Sequence, residues 1–188
     1  VLLSKDLTDK IPFIKALSKE ISMINNIEVT IIDALNIVNI NNPNIKVLND
    51  NFDVDLIEMI KGVNKETDST TRIFIIVGFN EFKNSISEQY LQYFNALMTS
   101  IIKLKKSKLL IVDSYDEFRK LEIEDWFEMT IDKNQAIWLG NEVENQIIFN
   151  FNGLSNDDIK ENFNNIGFVT VNGEAKVIKY VVDEGSDS

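Results

Sequence analysis

The sequence predicts an α/β domain built on a mainly parallel sheet with helices on both faces and a terminal β-hairpin. Segments with apolar residues every three or four positions alternate with short, uninterrupted apolar runs. A parallel strand is buried on both faces and so loses the alternation of inward and outward residues, which makes such runs its signature. The last part of the chain instead carries β-branched runs on either side of Asn172-Gly173, a pair suited to a tight turn. A length of 188 residues, 44% hydrophobic and 26% charged, suits one soluble globular domain over 1–188.

Val1-Leu2-Leu3 is an apolar stub followed by a polar loop. Ile14, Leu17, Ile21 and Ile24 then share one face at helical spacing, with Pro12 suited to the first turn. Residues 28–33 are β-branched and too short for a helix, so they read as a strand, and the Asn-rich stretch through Asn51 reads as a long loop. Phe52, Leu56, Ile60 and Val63 mark the next helix, residues 65–71 a polar loop, and residues 72–77 a buried strand. Ile86, Tyr90, Phe94, Leu97, Ile101 and Leu104 define a long amphipathic helix, and residues 109–112 the strand after it. Beyond Asp113 the pattern is less regular. It gives a charged helical segment around residues 117–126, short strand candidates at 136–139 and 147–151, and a helix over 155–164 with Ser155 as cap and Asp157 and Asp158 in its first turn. The hairpin strands are residues 168–171 and 175–182.

Composition excludes whole classes of chemistry. With no cysteine and no histidine, disulfides, thiolate nucleophiles, Cys/His zinc sites and histidine bases are impossible. The 30 Asp and Glu against 19 Lys and Arg leave a net charge of -11, which repels phosphate backbones and anionic lipid. The 7 glycines are scattered, so no glycine-rich phosphate cradle exists. No apolar run approaches the roughly 18 residues of a membrane span. The opening without a Met and the small, acidic ending read as a piece from the C-terminal end of a larger protein.

A strand, a loop and a helix at the start of a parallel sheet is the setting of a nucleotide-binding P-loop, Gly-x-x-x-x-Gly-Lys-Ser/Thr. Here that window reads Ser4-Lys5-Asp6-Leu7-Thr8-Asp9-Lys10-Ile11. The spacing and Lys10 survive, but Ser4 and Asp9 replace the glycines and Ile11 replaces the magnesium-binding hydroxyl. Asp9 also puts a carboxylate where a triphosphate would sit; at about 5 Å and an effective dielectric of about 20, one like-charge pair costs about 3 kcal/mol. The expectation is that the Asp9 carboxylate, or the Thr8 hydroxyl, caps the helix and fills its anion site. The second half of such a site is an apolar strand ending in carboxylates that hold magnesium and position water. Here residues 74–77 run into Gly78-Phe79-Asn80-Glu81, so Gly78 and Phe79 stand at the tip and Glu81 comes late.

Other features have plainer readings. Lys103, Lys105, Lys106 and Lys108 suit a helix C-terminus. Glu122, Glu124, Asp125 and Glu128 lack the pattern of a calcium loop and suit a solvated face. Trp126 and Trp138 suit a core before a docking pocket. Arg72 suits a local ion pair.

In the order and spacing of these segments the chain resembles the FtsK/SpoIIIE-type ATPase modules of the type VII secretion coupling protein EssC of Firmicutes, particularly the C-terminal one. The resemblance rests on Val1-Leu2-Leu3 running into the altered P-loop, on residues 73–82, and on Ala136-Ile137-Trp138-Leu139-Gly140-Asn141-Glu142-Val143-Glu144-Asn145-Gln146. It implies a RecA-like P-loop NTPase fold, and a cytoplasmic module of a membrane-anchored bacterial protein that works as a hexamer. Its partners would be secreted helical substrates of the WXG class and neighbouring ATPase modules of the same chain or hexamer. The membrane would be reached only through the full-length parent, and nucleic acid is not a partner. Because Ser4, Asp9, Ile11, Gly78 and Phe79 depart from the pattern, both Walker motifs are degenerate. The reading is then a nucleotide-free module for substrate recognition and assembly in protein secretion, with no catalytic residue, no metal and no cofactor. The alternative is a weakly active motor domain that binds ATP and magnesium through Lys10 and Glu81.

Overall fold

The computed structural model describes residues 1–63, 69–160 and 165–180, with the side chains of Asp9 and Lys160 outside that description. The strands are β1 (Leu2–Ser4), β2 (Ile27–Asp33), β3 (Ile45–Leu48), β4 (Thr71–Val77), β5 (Ser107–Ser114), β6 (Gln135–Leu139), β7 (Ile166–Val171) and β8 (Glu174–Lys179). They form one 8-stranded sheet in the order β3-β2-β4-β5-β1-β6-β7-β8. Every pairing from β3 across to β6 is parallel, and β6-β7 and β7-β8 are antiparallel. The expected α/β class, parallel sheet and closing hairpin are all present.

The helices are α1 (Ile11–Ser22), α2 (Phe52–Val63), α3 (Phe79–Ser85), α4 (Glu88–Ile101), α5 (Tyr115–Arg119), α6 (Phe127–Thr130) and α7 (Asn156–Lys160). They cover the two faces unequally. Along β4, Ile73, Ile75 and Val77 point to a core shared with Ile11 and Ile14 of α1, while Phe74 and Ile76 point to a larger one shared with α2 to α6. Among the described residues α1 is the only helix on its face, where Phe13 meets Tyr180 edge to face at 4.8 Å. Short as it is, β1 lies at the centre, with Leu2 paired to Val112 on one side and Ile137 on the other. Its burial on both faces explains why the stub is wholly apolar before Ser4.

Several elements differ from the sequence reading. The buried stripe of α1 is Ile11, Ile14, Ser18 and Ser22 rather than Leu17, Ile21 and Ile24. The serine hydroxyls bond back to the carbonyls of Ile14 and Lys19, which leaves small side chains facing the sheet. The Asn-rich loop contains β3, whose Ile45 pairs with Val29 after an Asn42 side chain turns the chain by accepting the Asn44 N–H. The long helix begins later than its apolar stripe. Ile86 and Ser87 are extended, and the Asp53 carboxylate of α2 accepts the Ser87 N–H at 2.8 Å, which separates α3 from α4. The charged segment around residues 117–126 is not one helix: α5 ends at Arg119, a 3₁₀ turn spans Lys120–Ile123, and α6 begins only at Phe127. Residues 147–151 are not a strand: Ile148 and Phe149 are both buried, and the Gln146 amide bonds both the N–H and the carbonyl of Phe149 to form a turn. Ser155 caps α7 as expected, accepting the Asp158 N–H, with the Asp158 carboxylate returning to the Ser155 N–H and hydroxyl. The expected continuation of that helix over 161–164, most of the loop 65–71 and the end of the hairpin at 181–182 lie outside the described residues.

Candidate functional site

In a parallel sheet all carboxyl ends point to one edge, and ligands enter where successive connections leave for opposite faces. Here β1 leads into α1 on one face and β5 leads into α5 on the other, although the two strands are neighbours. The register brings Ser4 level with Ser114 and Leu139, Leu3 level with Asp113, and Asp33 level with Val77. The P-loop-like window, the second motif and the segment after β6 therefore meet at this edge.

The loop after β1 is held by its own polar groups. Ser4, fully buried, donates its hydroxyl to the Asp6 carbonyl at 2.8 Å. The Asp6 carboxylate accepts the Thr8 hydroxyl at 2.6 Å and the Thr8 N–H at 3.0 Å, and these bonds hold its pKa below the usual carboxylate range. Leu7 turns inward to join Leu2, Ile11 and Ile14 in the core, and its carbonyl accepts the Lys10 N–H at 2.9 Å. A 3₁₀ turn, Thr8–Lys10, then runs straight into α1, and neither has a side-chain cap. The Thr8 hydroxyl is thus spent on Asp6, not on capping the helix as expected. Asp9 falls within the turn, and its side chain is outside the described part.

The segment after β6 closes over this loop. The Lys10 ammonium rests beside Gly140, whose φ is +89° and where a Cβ would lie 3.2 Å from Nζ. Lys5 donates to both carboxylate oxygens of Glu142 at 2.8 and 2.9 Å, which raises the Lys5 pKa and lowers that of Glu142. Glu142 itself adopts a left-handed φ of 68°. Trp138 anchors the segment through its indole N–H, 2.8 Å from the Asn141 carbonyl.

At the tip of β4, Gly78 has a φ of +72°, and a Cβ there would lie 2.4 Å from Cγ of Leu35. Phe79 is fully buried between Phe94 and Trp126, with ring centroids at 5.9 and 5.8 Å. Glu81 is exposed on α3, where it accepts a 3.3 Å hydrogen bond from the Ser85 hydroxyl. The first turn of α3 is served by Asp113 at the end of β5, whose Oδ2 accepts the Asn80 N–H at 2.8 Å and whose Oδ1 accepts the Ser114 N–H at 2.8 Å. Burial pushes the Asp113 pKa up to about 6 against the pull of these N–H groups, and Glu117 adds to the rise. The Asn80 amide donates to Glu117, which also takes the Lys120 ammonium. On β2, Asp33 is almost fully buried; its Oδ2 accepts the Val38 N–H at 2.6 Å and its Oδ1 has no hydrogen-bond partner among the described residues.

The structure therefore brings Ser4, Lys10 and Ile11 to one side of the edge and Gly78 and Phe79 to the other, while Glu81 faces solvent. Sequence reasoning missed Asp33 and Asp113. The available signal was an apolar strand ending in a carboxylate, which occurs at both of those positions rather than at residue 78. Between the loops lies an open crevice of about 690 Å³ whose walls include Lys5, Asp6, Leu7, Leu35, Ile37 and Asp116; Lys10 and Glu81 do not line it.

The remaining candidates resolve simply. Arg72 pairs with Glu28 at 3.2 Å, and both tryptophans are buried. Glu124 pairs with Lys83, Glu128 with Lys133 and Glu122 with Arg119. Among the described residues no group of acidic side chains is placed to hold a metal ion, and no helix is long and apolar enough to cross a membrane.

No protein-family model matches the chain, and no curated protein matches it significantly. Solved structures do. A structure titled as the cytoplasmic domain of EssC superposes with a TM-score of 0.66 at 13% identity, over 96% of this chain and 39% of that one. One titled as ATPases 2 and 3 of EssC from Geobacillus thermodenitrificans gives a TM-score of 0.72 at 13% identity, over 96% of this chain and 36% of that one. The chain thus spans little more than a third of either neighbour, and across almost all of its own length it shares the fold of EssC ATPase domains.

Proposed function

We propose that this chain is an ATPase-like module of a type VII secretion coupling protein of the EssC kind, working in substrate recognition and assembly without holding nucleotide. The observation that carries the reading is that the groups standing where a triphosphate and its metal would be held are engaged with the chain itself. Leu35 lies over Gly78 at the strand tip, Phe79 belongs to the core, and Asp113 accepts the Asn80 N–H in the first turn of α3. Leu7 fills the loop after β1, and Asp6 adds a carboxylate there. In this reading the partners are small helical secreted proteins of the WXG class and neighbouring modules in a cytoplasmic assembly, and a net charge of -11 argues against nucleic acid.

A weakly active motor domain is the second reading, favoured by Lys10, whose ammonium is kept at the carboxyl edge beside Gly140. A thermal melt with MgATP separates the two. Ligand at about 100 times its dissociation constant adds about 2.7 kcal/mol, a rise of roughly 5 to 10 °C in midpoint for a domain of this size. No shift at millimolar MgATP is the expected result. A shift of that size, lost in Lys10→Ala, would replace the first reading with the second. Pull-downs with helical-hairpin substrates that stay empty at every salt concentration would remove the recognition role.

A further inference from the structure

The crevice at the β1/β5 switch point is where this fold would receive a ligand, yet its chemistry is wrong for phosphate. Its aliphatic walls come from Leu7, Leu35 and Ile37, of which Leu7 is nearly buried and Leu35 stays 40% exposed. Asp6 and Asp116 stand on the rim, both exposed. Asp6 is held ionised by the Thr8 hydrogen bonds. Lys5 on the same rim donates to both oxygens of Glu142 and also feels Asp116, and Lys10 acts on Asp6; with Glu142 counted, three carboxylates stand against two ammonium groups and the rim stays net negative. An acidic rim around an aliphatic floor complements one kind of ligand, a cation carried next to an aliphatic group.

We infer that this crevice binds a protein segment presenting an aliphatic side chain beside an arginine or lysine. The aliphatic group packs on Leu7, Leu35 and Ile37, and the cation pairs with Asp6 and Asp116. The volume of about 690 Å³ lies within the range of pockets that enclose small ligands, and accommodates such a side chain with its neighbours. The inference rests on the nucleotide-free reading above, because MgATP in the crevice would compete for the same space and bring the opposite charge.

The test is methyl NMR on the isoleucine- and leucine-labelled chain, titrated with the capped peptide Gly-Arg-Leu-Arg-Gly. Gly-Glu-Leu-Glu-Gly and Gly-Arg-Ser-Arg-Gly serve as controls, and MgATP is a separate arm. The expected result is a saturable shift of the Leu7, Leu35 and Ile37 methyls with the first peptide only. Asp6→Asn with Asp116→Asn should weaken it several-fold, and so should added salt. Asp116→Asn alone, which spares the Asp6 to Thr8 bonds, should weaken it in the same direction. No saturable shift at millimolar peptide, equal response to the acidic peptide, or binding undiminished in the double variant overturns the inference. If MgATP is also silent, the nucleotide-free reading survives that failure. If MgATP moves these methyls and displaces the peptide, it is the nucleotide-free reading that fails.

Discussion

Leu35 packs over Gly78 so closely that a Cβ on residue 78 would lie 2.4 Å from its Cγ. This contact closes the tip of β4 on the side where a metal-holding carboxylate would stand, and it requires the left-handed backbone of Gly78. Restoring a carboxylate here therefore does not restore a metal site. Gly78→Asp should lose about 1 to 2 kcal/mol from the left-handed backbone alone, with a further loss from moving Leu35. Leu35→Ala in the same chain should recover the steric part and leave the backbone part. Urea unfolding of the single and double variants measures both, and MgATP should protect neither.

Phe79 gives the companion prediction. It sits against Phe94 and Trp126 with no exposed surface, so its position is set by packing. Phe79→Ala should cost about 3 to 5 kcal/mol, a large share of the roughly 5 to 15 kcal/mol that holds a domain folded. Phe79→Leu should cost much less, and Phe79→Glu should not fold. Trp126 fluorescence reports each transition directly. A Phe79→Glu variant as stable as the parent would show that the ring is not part of the core.

Much of the fold was legible because burial on two faces writes itself into the strands. Residues 73–77 and 109–112 are uninterrupted apolar runs and became most of β4 and the middle of β5. The failures have specific causes. β3 is a short edge strand whose pairing with β2 depends on a turn set by Asn42, and its surroundings have loop composition. Ile148 and Phe149 are apolar because they plug the core beneath a Gln146 turn, not because they pair with a strand. At the candidate site, Lys10 was visible as a motif remnant, but Leu35, Asp113 and the Glu142 contact were not. Each reaches the edge from a different strand, and only the register brings them together.

The Lys5 to Glu142 contact should hold the segment after β6 against the loop after β1. Both groups are exposed, so the effect is local order and not global stability. Lys5→Ala should raise amide exchange at residues 141–145 several-fold, and Glu142→Ala should raise it at residues 5–8. High salt should reproduce both changes in the parent chain. Exchange unchanged in either variant would show that Trp138 and the Asn141 carbonyl, 2.8 Å apart, suffice to hold the segment.

Asp113 predicts a pH dependence of definite sign. Its pKa rises from 3.8 to about 6 in the folded chain, with burial the main cause and Glu117 a lesser one, against the N–H groups of Asn80, Ser114 and Phe79. Below about pH 4 it is protonated in both states. As the pH rises towards 6 the unfolded chain releases this proton first, so the folded state binds more protons and stability from this group falls. Above about 6 the loss is complete. A shift of this size corresponds to about 3 kcal/mol. Asp113→Asn keeps an acceptor for the Asn80 N–H and removes the titration. The stability of the parent relative to Asp113→Asn should therefore fall by about that amount between pH 4 and pH 7, as read by urea unfolding at each pH. Using the difference cancels carboxylates common to both chains, including Asp6 and Asp158, whose lowered pKa values act with the opposite sign. A difference that is flat across this range would place the Asp113 carboxyl in water, not between β5 and α3.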